Sequence, residues 1–103
     1  MLVAGLHEPV QLRGQATWLY DLARIWATRS GEQVVLVSAN DHVHSWNSAH
    51  YADRAVDIQG TGLDGLAEWY RGLRLLVYWQ VPGHWQHVHV EVGPPCPQAT
   101  GTC

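Results

Sequence analysis

From His87 to Val92 the chain alternates without a break: Val88, Val90 and Val92 fall on one side, His87, His89 and Glu91 on the other. A period of two is that of a β-strand, whose successive side chains point to opposite faces. The valines need an apolar layer to receive them, so the strand belongs to a sheet that is covered on that side. The opposite face carries two imidazoles and a carboxylate. For a single histidine an exposed surface position would be the better reading. That reading weakens for His87 and His89 together, with His84 just upstream and His50 and Asp57 elsewhere in the chain.

The rest of the sequence supplies the covering layer. In Gln11 to Ser30, Leu12, Ala16, Leu19, Ala23 and Trp26 recur at three- and four-residue steps, which predicts a helix with one apolar face. Ser30-Gly31 is its expected stop, and Arg24 and Arg29 lie toward the C-terminal end, where cations suit the helix dipole. Gln33 to Ser38 is a β-branched run and reads as a buried strand. Ala39 to Ser48 is polar and loop-like, with Asp41, His42, His44 and Asn47. Arg54 to Ile58 reads as a second strand around Asp57, and Gly60-Thr61-Gly62 turns the chain into a short helix from Leu63 to Arg71. Leu73 to Trp79 is a third strand, Pro82-Gly83 a turn, and His87 to Val92 the fourth strand. The expected class is α+β: a small antiparallel sheet of about four strands, one long N-terminal helix and one short helix. The expected organisation is a single domain over 1–93 and a tail over 94–103.

Composition removes several functional classes. At 103 residues, 47% apolar and 15% charged, the chain suits one globular unit. Its six basic residues are all Arg, the formal charge is −3, and no basic stripe exists, so nucleic acid is not an expected partner. No run approaches transmembrane length. Met1 to Val10 has no basic start followed by a long apolar stretch, so it is not a signal peptide as written. The expectation is a protein that stays inside the cell until released, or one whose export signal was removed or replaced. Cys96 and Cys103 both sit in the Pro/Gly/Thr-rich tail, where a small-loop disulfide is compatible but unforced. Of seven histidines, six lie between His42 and His89.

Neutral imidazole and carboxylate are ordinary nitrogen and oxygen ligands of zinc. His50 in a loop and Asp57 on the following strand can converge on a neighbouring strand carrying His89. Three ligands would leave a fourth position open for water, the arrangement of a catalytic site. His87, on the same face as His89, would point into the site without binding metal. Trp46, Tyr51, Trp79 and Trp85 flank these positions in sequence and are candidate walls for a peptide or glycan.

Ser48, His50, Ala55 and Asp57, followed by His87-Val88-His89, resemble the paired motifs of the zinc D,D-peptidase and Hedgehog-like superfamily, in particular its D-alanyl-D-alanine carboxypeptidase and murein endopeptidase branches. The motifs span Ser48 to Val92. The resemblance implies one Zn2+ per chain held by His50, Asp57 and His89, with a metal-activated water that hydrolyses peptide bonds in peptidoglycan stem peptides or cross-links. It implies His87 as general base or proton relay and His84 as a stabiliser of the oxyanion or substrate. Ser48, Arg54 and His42 would lie on the substrate side, and Glu91 reads equally as a partner that fixes an imidazole tautomer or as a plain surface charge.

Two residues depart from the family pattern. Asp53 replaces the motif glycine, and the Arg expected shortly after Ser38 is missing, with His42, His44 or Arg54 as candidate substitutes. Gln86 occupies the position of the catalytic Glu in the Glu-x-x-His branch and cannot take a proton. Gln86 and the missing Arg keep open a non-catalytic zinc-binding module of the Hedgehog type. A His-Asn-His nuclease, suggested by Asp41-His42-Val43, Asn47 and His50, is disfavoured by the lack of basic residues for phosphates.

Overall fold

A computed structural model describes residues 2–39 and 54–92, and within them the fold is α+β. In chain order the elements are β1 (Leu2–Val3), β2 (Val10–Gln11), α1 (Gly14–Ser30), β3 (Val34–Ser38), β4 (Ala55–Gly60), α2 (Leu63–Gly72), β5 (Leu76–Tyr78) and β6 (Val88–Glu91). β1 and β2 form a short antiparallel ribbon. The main sheet has the order β3-β4-β6-β5, with every neighbouring pair antiparallel.

The apolar side of that sheet meets both helices. Leu36, Val56, Ile58, Val88 and Val90 are fully buried against Ala16, Leu19 and Ala23 of α1 and Leu66, Ala67 and Tyr70 of α2. All five residues of the expected helical stripe, Leu12, Ala16, Leu19, Ala23 and Trp26, lie in this core. Burial of such side chains contributes on the order of 1.5–3 kcal/mol each, so this layer dominates the stability of the fold. The two helices are tied by the Tyr70 hydroxyl, which donates to the Leu19 carbonyl at 2.6 Å. They also approach closely where Gly65 faces the Trp26 ring.

The ends of α1 follow from its sequence. Gly31 takes the left-handed conformation at φ 70°, and its own N–H, with that of Glu32, turns back to the Ala27 carbonyl. At the other end Arg13 offers no side-chain cap. α2 starts from Gly62, also left-handed at φ 64°, and Asp64 in its first turn suits the helix dipole.

The opposite side of the sheet carries the polar residues. Cross-strand partners share a face, so Asp57, His89 and Tyr78, paired in register across β4, β6 and β5, point the same way. Between Leu36 and Ser38 the β3–β4 register shifts, which sets Ser38 opposite Asp57. Strict alternation from Leu36 would send Ser38 to the core side. The bulge instead brings it to the polar face, where it is buried beside Asp57.

β5 is shorter than the sequence predicts. Leu73, Arg74 and Leu75 spend their N–H groups closing α2, on the carbonyls of Tyr70, Arg71 and Tyr70 respectively, and Arg74 sits at φ 64°. The strand therefore begins only at Leu76.

Candidate functional site

The polar face is built around His89. It is 7% exposed, in the middle of β6, and both ring nitrogens meet carboxylates: Nδ1 lies 2.9 Å from Asp57 Oδ1 and Nε2 lies 2.8 Å from Glu91 Oε1. An ionised carboxylate only accepts hydrogen bonds, whereas a neutral imidazole has a single N–H to donate. Two simultaneous donations therefore require the imidazolium. Burial on its own would lower the pKa of His89, but the hydrogen bonds to Asp57 and Glu91, and the charges of both, outweigh it and raise the value to about 9. His89 is a buried cation between two buried or half-buried anions.

Around this network stands a cluster of rings. The Tyr78 ring lies 5.3 Å from both His84 and His89, and the His84 ring lies 5.3 Å from His87 and 5.4 Å from His89. His87 Nε2 is 3.7 Å from Asp57 Oδ1, beyond hydrogen-bond range but close enough for electrostatic attraction. A tight turn holds the shelf in place. Gln80 N–H donates to the His84 carbonyl, His84 N–H to the Val81 carbonyl, and the Gln80 side chain to the Trp85 carbonyl. His84 Nδ1 lies 3.1 Å from the Pro82 carbonyl. At the outer rim a shallow depression of about 260 Å³ is lined by Gly83, Trp85, Gln86 and His87.

Of the residues singled out from sequence, Asp57, His84, His87 and His89 are brought together. Arg54 is not part of the cluster: its guanidinium donates to the Val92 carbonyl at 2.6 Å and fastens the end of β6 to β4. Ser48, His42 and His50, like His44, Asp53, Trp46, Tyr51, Cys96 and Cys103, lie outside the described residues. Trp79 turns toward α2, where its indole N–H donates to Asp64. The sequence reading missed Tyr78 as a ring partner of His89, because nothing local shows that β5 pairs with β6 in that register. Glu91 was foreseen only as one imidazole partner among alternatives.

The expected zinc centre is not what these residues make. Among the described residues no group of three or more His, Cys, Asp or Glu side chains is placed to hold a metal ion. The reason is visible at His89, where a metal would need a nitrogen lone pair and both nitrogens are committed as donors to carboxylates. This overturns the zinc ion, the zinc-activated water, and with them the metallopeptidase and peptidoglycan-hydrolase reading. The non-catalytic zinc module falls for the same reason.

No known protein family, curated protein or solved structure matches the chain. The likeness to the zinc D,D-peptidase and Hedgehog-like superfamily therefore has no support from homology, and what stands is the α+β arrangement itself. Among the described residues no helix is long and apolar enough to cross a membrane.

Proposed function

We propose that the chain is a peptide-binding module whose binding surface is the ring shelf of Tyr78, His84, Trp85 and His87. The observation that carries this reading is the combination of a buried charge network and exposed rings beside it. His89 bonds both Asp57 and Glu91 and stands against the Tyr78 and His84 rings, while Trp85 is 57% and Tyr78 38% exposed. Tyr78 stacks with His84, and Trp85 lines the depression beside His87, so exposed rings border the same histidines, which favours a binding role over scattered surface apolarity.

Charge selects the ligand. The carboxylates of Asp57 and Glu91 flank His89, which stands beside the aromatic face of Tyr78. Both features attract a cation, the first through its field and the second through the ring quadrupole, with about 0.5–1 kcal/mol per exposed contact. The ligand is therefore a peptide presenting Lys or Arg to the shelf.

The test is to pan a phage-displayed library of short random peptides against the immobilised protein, beside Trp85→Ala. Enrichment of sequences rich in Lys or Arg, lost with Trp85→Ala and weakened by salt, is the expected result. No enrichment, or acidic sequences that bind the variant equally well, would overturn the reading.

A further inference from the structure

The two edges of the main sheet are treated differently. At β3 the N-terminal segment covers the edge: Gly5 bridges to Leu36 and the Leu6 N–H donates to the Leu36 carbonyl at 2.8 Å. At β5 no further strand follows among the described residues. Natural sheets blunt such an edge with charge, proline or a bulge. Leu75-Leu76-Val77-Tyr78-Trp79 has none of these.

The direction of the unpaired groups follows from the ladder. Val92 N–H donates to the Arg54 carbonyl, so the pairs that exchange bonds between β4 and β6 are Arg54/Val92, Val56/Val90 and Ile58/Val88. Glu91 and His89 therefore direct their backbone groups the other way, to Leu76 and Tyr78 of β5. It is Val77 that aims both N–H and C=O off the sheet. Alternation puts the Leu75 carbonyl and the Trp79 N–H on the same side. The Leu75 N–H, which has no place in such a ladder, is already bound to the Tyr70 carbonyl.

We propose that β5 pairs antiparallel with β5 of a second copy of this chain, about a two-fold axis at Val77, making one continuous sheet of the two. The strand is self-complementary in that register. Val77 exchanges both bonds with Val77 of the second copy, and each Trp79 N–H reaches the Leu75 carbonyl across the axis. Leu76 then faces Tyr78 of the second copy at a non-hydrogen-bonded position, where side chains approach most closely. These two are 44% and 38% exposed in the single chain and cover each other in the pair. Arg74 falls opposite Gln80, so no like charges meet. Both of these flanking residues are left-handed, at φ 64° and 61°, and mark the ends of the pairing segment. Because Tyr78 belongs to the ring shelf, the second copy's Leu76 becomes part of its wall. The inference stands on the strand edge and does not rest on the peptide reading.

One strand and its flanking side chains make a small interface, below about 1,200 Å² of buried surface, so the dimer dissociates on dilution. Sedimentation velocity over a dilution series, with near-ultraviolet circular dichroism as the check on folding, tests it. The wild type should pass from dimer to monomer as it is diluted. Val77→Pro removes the outward N–H and fills the axis with a ring, at a position where edge strands tolerate proline, though it also changes the side chain that packs against the core. It should be monomeric throughout. Should that variant not fold, Leu76→Lys, on the exposed face, decides instead and should raise the dissociation constant at least tenfold. A wild type that stays monomeric at every concentration, or a dimer that a folded variant leaves intact, would overturn the proposal. Peptide capture by a monomeric chain would leave the shelf reading standing on its own.

Discussion

Raising the pH through the titration of His89 should destabilise this protein. Folding lifts the His89 pKa from 6.5 to about 9. A group whose pKa is higher in the folded state binds its proton more tightly there. Its contribution is complete below about pH 6.5 and is lost as the pH rises through about 9. At about 1.4 kcal/mol per pH unit, the interval amounts to roughly 3 kcal/mol, a large part of the margin of a small domain. Solvent screening takes little from it, since His89 is 7% exposed. Urea unfolding followed by tryptophan fluorescence, from about pH 6 to about pH 9.5, should show the midpoint falling steadily across this window. Glu91→Gln removes one of the two anions and should make the slope shallower. His89→Gln removes the cation that Asp57 and Glu91 share and should cost about 3–5 kcal/mol at pH 6, with no step on going alkaline. A flat wild-type profile, or an equal slope in His89→Gln, would refute the assignment of His89 as a buried imidazolium.

Four further outcomes follow from the geometry. A Cβ at Gly60, where φ is 149°, would run into the Gln33 carbonyl oxygen, so Gly60→Ala should destabilise by about 2–3 kcal/mol in the same urea assay. Tyr70→Phe removes the buried bond to the Leu19 carbonyl and should cost about 1–2 kcal/mol. Burial also pushes the Tyr70 phenol well above its ordinary range, so in an alkaline absorbance titration it should ionise only on unfolding. Treatment with a chelator should leave the melting temperature unchanged, because a site with both His89 nitrogens protonated has no linkage to metal. A fall on chelation would contradict that protonation state.

The elements of the fold were legible where periodicity was long. The α1 stripe from Ala16 to Trp26 and the Val88/Val90 face of β6 both lie in the core as their spacing required, whereas Leu12, also buried, precedes the helix, which begins only at Gly14. Legibility failed where one backbone group decided the outcome. Leu73 to Leu75 have strand-like side chains, yet their N–H groups complete the last turn of α2. The ribbon of Leu2–Val3 and Val10–Gln11 is too short to show any period. The bulge that puts Ser38 beside Asp57 leaves no mark in Val34–Ser38, whose alternation read alone sends Ser38 to the core.

The site shows a different limit. Alternation placed His87, His89 and Glu91 on one face, and the expected convergence of Asp57 with His89 is present at 2.9 Å. What residue types and spacing do not carry is the occupancy of the lone pairs. A neutral histidine beside a carboxylate is half of a metal site, while a doubly donating one between two carboxylates is an ion network. Which of the two forms depends on Glu91 reaching back along its own strand to Nε2 at 2.8 Å. That contact uses the nitrogen opposite the one facing Asp57 and converts a ligand into a cation. A surface glutamate two residues from a histidine is common on any strand, so its presence in the sequence weighs little. Its geometry in the folded protein decides the chemistry at His89, whose two ring nitrogens both face carboxylates and leave no lone pair for a metal.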